Sequence, residues 1–169
     1  MIQKMLFIVF VFAMSVGIGL AQKSRNWDKI DKRITTCIAN NMDIEVQKNL
    51  VFHFWCNKMI EYCEGVIKGG EAYGGKYIVL LSNEKKNLYG LVELADKCET
   101  LAQVKEQLTA IKAIYEESLK TETNKRIREN PNSDGNVFET DEIVNLELNT
   151  NKARKMRNLF EKIQKILDI

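Results

Sequence analysis

A chain of 169 residues with 25 Lys and Arg against 23 Asp and Glu carries a formal net charge of only +2, which excludes the overall basic footprint of a nucleic-acid or anionic-membrane binder. One His and four Cys without close pairing exclude a structural zinc site of the usual ligand spacing. The length suits a single domain that buries about two-thirds of the surface its unfolded chain exposes.

The chain opens on "MIQKMLFIVFVFAMSVGIGLAQ", in which Lys4 precedes an unbroken apolar run from Met5 to Ala13 and small residues follow at Gly17, Gly19 and Ala21. That is the pattern of a secretory signal peptide over residues 1–21, and the run is too short for a membrane span. Cleavage after Ala21 leaves a domain of residues 22–169, lowers the net charge by one and places the protein in the secreted, extracellular space, with no membrane association after cleavage.

Apolar residues at three- and four-residue steps predict an all-α fold, a bundle of about five helices. The first runs from about Asn26 to Ala39, with Ile30, Ile34, Cys37 and Ile38 on one side. Asp43 is the expected N-cap of a second, central helix over Ile44–Lys68, whose stripe is Val51, Trp55, Met59, Tyr62 and Val66. "KGGEAYGG" ends it. Tyr77–Leu81 is too short an apolar run to assign, and a third helix follows over Asn83–Cys98. A fourth begins with Thr100 and Gln103 as a capping box and carries Leu101, Val104, Leu108, Ile111, Tyr115 and Leu119. Continued to Glu129 it is about 45 Å long, so its second half, "TETNKRIRE", is expected to be exposed. Ile143–Leu148 alternates apolar and polar residues and is a candidate to pair with Tyr77–Leu81 in a minor two-stranded sheet. A last helix spans Lys152–Ile169, with Met156, Leu159, Phe160, Ile163 and Leu167 on one face.

Cys37, Cys56, Cys63 and Cys98 are an even count in an exported chain and predict two disulfides. Seven residues of helix set Cys56 and Cys63 about 10 Å apart, beyond the roughly 7 Å between Cα atoms that a disulfide spans. Each must then reach outward, and proximity along the chain favours Cys37–Cys56 with Cys63–Cys98.

Among segments with chemical potential, "NPNSDGNVFETD" places Asn130, Asn132 and Asp134 at positions 1, 3 and 5, Gly135 at 6, Asn136 at 7 and Asp141 at 12 of a twelve-residue register. It resembles an EF-hand loop, which implies calcium at those residues. Position 1 is Asn where the family has Asp, and position 9 is Phe138, which offers no oxygen. Read without a metal, the same residues make a turn between two helices. "GEAYGGKY" has the glycines and Lys of a phosphate loop but Tyr77 where Ser or Thr must reach magnesium. His53 lacks a recognisable partner and reads as structural, so no enzyme is predicted. Phe52, Phe54, Trp55, Met59 and Tyr62 either fill the core or line a cavity for a small hydrophobic ligand. The resulting expectation is a secreted, non-enzymatic helical protein that binds an extracellular protein partner in the manner of an effector or cytokine. The alternatives are a hydrophobic-ligand carrier and a weak calcium module. The outward half of the fourth helix and the charged face of "NKARKMRNLFEKIQK" are the expected contact surfaces.

Overall fold

The computed structural model describes residues 26–129 and 136–167. The segment read as a signal peptide lies outside the described residues. Helix α1 occupies residues 26–40, and the chain then runs irregularly to α2 (Phe52–Tyr73), α3 (Gly75–Asn83), α4 (Lys85–Leu94), the single turn α5 (Glu99–Ala102) and α6 (Lys105–Glu116). Strands β1 (Leu119–Glu129) and β2 (Asn136–Leu146) form an antiparallel pair, and α7 (Thr150–Leu167) ends the described chain. Among the described residues the fold is helical with one small two-stranded sheet. None of the described helices is long and apolar enough to cross a membrane.

Helix α2 is the centre of the molecule, as its apolar stripe requires. It packs on α7 and α3, α7 packs on α6, and α6 on α4. Phe52, Trp55, Met59, Cys63 and Val66 of α2 meet Met156, Phe160 and Ile163 of α7 in one core with Leu108, Ile111 and Tyr115 of α6. Trp55 meets Phe160 edge-to-face at 5.5 Å, and each large side chain so buried contributes about 2 kcal/mol from area alone.

The ends of the helices show which local signals act. Asn149 caps α7, its Oδ1 accepting from Lys152 N at 2.9 Å. Helix α2 starts at Phe52 and not at Ile44, and Val51, the residue before it, is extended and has no side chain able to cap it. Asp43 instead pairs with Lys97 at 3.1 Å. No capping box forms at Thr100, because α5 starts one residue earlier and Cys98 is its N-cap. The expected glycine break is present: α2 kinks at Gly70, whose φ of 51° is a left-handed conformation that suits glycine.

The minor sheet forms from different segments than those expected. Tyr77–Leu81 lies within helix α3, where Leu81 is buried. β2 pairs instead with β1, from Leu119 opposite Leu146 to Glu129 opposite Asn136. The helix expected over Thr100–Glu129 is therefore broken at Gln103–Val104 and stops at Glu116. Past that point Thr121, Thr123 and Ile127 recur at even spacing, a β-type pattern.

The expected disulfide pairing is also corrected. Cys37 at the end of α1 joins Cys98, with 5.8 Å between Cα atoms and 61 residues of separation, while Cys56 and Cys63 are buried free thiols. The argument that Cys56 and Cys63 are too far apart to bond is consistent with this arrangement. The inference that each must then bond elsewhere is not, because both turn inward to the core, each fully buried.

Candidate functional site

The residues singled out from the sequence do not converge on one place. Phe52, Trp55 and Met59 are at most 3% exposed within the packed core, Phe54 is 63% exposed at the surface, and Tyr62 is half-buried beneath the Lys58 ammonium, 5.5 Å from its ring centre. The five therefore stand in three different settings, core, surface and a half-buried position under a lysine. Of the calcium register, Asn130, Asn132 and Asp134 lie outside the described residues. Asn136 and Asp141 stand in β2 opposite Glu129 and Asn124, so the segment joins two strands, where an EF-hand loop joins two helices. Among the described residues no three His, Cys, Asp or Glu side chains gather as metal ligands.

His53 does have a partner that sequence reasoning missed. Asp31 of α1 accepts from the His53 backbone N at 3.0 Å through Oδ1 and meets Nδ1 at 2.5 Å through Oδ2. Asp31 thus caps α2 from another helix, placing a carboxylate at the positive end of the α2 dipole where Val51 cannot. Trp27 packs on the same imidazole at 5.5 Å between ring centres. No local signal could have shown this, since the cap comes from 22 residues upstream.

Cys56 lies one turn beyond His53, which raises the question of a Cys–His–Asp triad. Burial pushes the Cys56 thiol well up and the Asp31 charge adds to the shift, while burial takes Cys63 to about 12 against the opposing pull of Arg157. A nucleophilic cysteine needs the opposite shift, toward thiolate. Both thiols therefore behave as small core hydrophobes.

A second polar centre holds the helices together. Glu84, between α3 and α4 and 7% exposed, accepts from Lys58 Nζ at 2.7 Å, Asn87 Nδ2 at 2.8 Å and Trp55 Nε1 at 3.0 Å. Asn87 Oδ1 in turn accepts from Gln47 N at 3.1 Å. Burial alone would raise the Glu84 carboxyl, but the bonds from Lys58, Asn87 and Trp55 outweigh it and hold the group below its ordinary range. With its acceptors occupied by the protein's own donors, this carboxylate is a structural hub and not a poised acid.

Two surface features remain. The first is the β1–β2 ribbon: eleven residues per strand, about 37 Å end to end. Its base is fixed by buried Leu146 and Leu148 and by Glu147 N donating to Ser118 O at 2.8 Å, and α3 is the helix that β2 lies against. The second is a groove between α1 and the start of α5, of about 650 Å³, lined by Lys29, Lys32, Arg33, Thr36 and Thr100. An adjoining groove of about 420 Å³ shares Lys29, Arg33 and Thr100 and reaches Ile166 and Leu167 of α7.

Comparison of the chain with protein-family models, with curated proteins and with solved structures finds no match in any of the three.

Proposed function

We propose that the protein is exported, acts without catalysis and binds another protein outside the cell, with the β1–β2 ribbon as its contact element. The carrying observation is the ribbon itself. Two paired strands of eleven residues are joined to the helical core at their base, where Leu146 and Leu148 are buried. An isolated two-stranded ribbon is only marginally stable in water, and an outer strand edge offers backbone donors and acceptors to a partner strand. Export is supported by the apolar N-terminal run after Lys4 and by the Cys37–Cys98 disulfide. The close packing of Phe52, Trp55 and Met59 favours this reading over a carrier of apolar ligands, which needs an aromatic-lined cavity.

The test is to shorten the ribbon by joining Lys120 to Asn145 through Asn-Gly, a two-residue turn that suits an antiparallel pair. The shortened protein should keep the melting behaviour of the helical body and lose the partner that the intact protein recovers from extracellular fluid. Recovery of the same partner at the same level by both forms would sink the assignment of the ribbon.

A further inference from the structure

The low net charge of the chain conceals a concentration of positive charge on one side. Helix α7 holds six cations and one carboxylate, a surplus of five in a chain whose total is only +2. Its outward face presents Arg154, Lys155, Lys162 and Lys165, all exposed, and among the described residues none of the four pairs with a carboxylate. From Arg154 to Lys165 the ridge rises about 16 Å along the helix. It leads toward the groove where Ile166 and Leu167 stand beside Lys29 and Arg33. Lys29, Lys32 and Arg33 are likewise exposed, and the facing wall contributes Thr100 with a single acid, Glu99.

We infer that this ridge and groove form a binding site for a linear sulfated polysaccharide. The charge is complementary to a polyanion, and the groove gives a chain-like ligand a path that a single small anion would not need. The side chains lining it are hydrogen-bond donors and acceptors with a few aliphatics, and no aromatic lines it. A protein partner is ordinarily gripped by Trp, Tyr or other large anchors seated in pockets. A bilayer would draw on exposed apolar side chains among the cations. The exposed large hydrophobics, such as Phe54, Tyr73 and Val79, lie on other elements, while the apolar face of α7 is committed to the core. The choice of a sulfated sugar rests on the extracellular location proposed above, whereas the binding chemistry can be measured independently of that location and of the ribbon.

The oxidised full chain should bind a heparin-derived dodecasaccharide at about 0.15 M ionic strength, with an affinity that falls as salt rises and counterions are no longer released to advantage. Lys29→Gln with Arg33→Gln, and separately Lys162→Gln with Lys165→Gln, should each weaken binding about tenfold. Lys48→Gln with Lys76→Gln, which removes the same charge at exposed positions elsewhere, should change it less than about twofold. All six positions are exposed, so thermal melts serve to confirm folding, and the two site variants test the idea independently. Equal weakening by all three pairs would reduce the effect to net charge and overturn the proposal. So would absence of binding by the unaltered protein, or equally tight and equally variant-sensitive binding to phosphatidylserine vesicles or to polyglutamate.

Discussion

Glu84 shows how one side chain decides whether several others can be buried. Trp55 Nε1 and Asn87 Nδ2 are enclosed only because this carboxylate accepts from both, and its own charge is offset by Lys58. Replacing Glu84 by Leu leaves two buried donors without an acceptor, and stability measured by urea unfolding should fall by about 3 kcal/mol. The pH dependence has a definite sign. The folded carboxyl lies below its ordinary value of 4.5, so its contribution is fully present above that value and is lost as pH falls through the folded one. The gap between the parent and Glu84→Leu should be constant near neutrality and narrow as acid is added below 4.5. A gap independent of pH would mean that the hub stabilises by packing alone. Asp31 acts by the same logic at the start of α2. Asp31→Ala removes a charged cap and should cost about 1–2 kcal/mol, read as a lower urea midpoint with unchanged slope.

At the scale of the element, the hinge between α2 and α3 turns an ordinary propensity rule around. Alanine in place of a mid-helix glycine usually stabilises by about 1 kcal/mol. At Gly65, however, a Cβ would stand 2.4 Å from the Tyr77 ring, so α3 lies against α2 at that point because the side chain is missing. Gly65→Ala should therefore destabilise by about 1–2 kcal/mol. In a Tyr77→Ala background the same change should become neutral or stabilising, and a double-mutant cycle measures the reversal. This hinge also marks how far the sequence could be read. The glycines announced a break, and the stripes of α1, α2, α4 and α7 announced helices, because those are local signals repeated over many residues. Tyr77–Leu81 is apolar all along and carries no period of its own, and the contact of the Tyr77 ring with Gly65, twelve residues upstream, is not visible locally. Leu119–Glu129 reads as helix for the complementary reason: its leading Leu continues the α6 stripe, and the pairing that makes it a strand lies farther along the chain, in Asn136–Leu146. The Asp31 cap and the groove beside Lys29 and Arg33 were illegible for a similar reason, since each is assembled from elements far apart in the chain.

The whole molecule is closed by one covalent link, and its location explains why two cysteines stay reduced. Cys37–Cys98 ties the end of α1 to the start of α5 around α2, α3 and α4, a loop long enough to contribute about 4 kcal/mol on the chain-entropy account. Cys56 and Cys63 sit two turns apart on α2, beyond bonding reach of each other, and both thiols are shielded from solvent and held protonated by burial. Mass spectrometry of the oxidised protein should then show a chain lighter than its fully reduced form by two hydrogens and not four. An aromatic disulfide reagent should find no thiol in the native state and two on unfolding without reductant. Reduction should lower the stability by about 4 kcal/mol and leave the helical signal intact at low denaturant, because the core of α2, α6 and α7 does not depend on the link. A loss of four hydrogens, with peptides joining Cys56 or Cys63 to Cys37 or Cys98, would require α2 to rotate its inward face outward and would overturn both the packing around Trp55 and the burial of the two thiols.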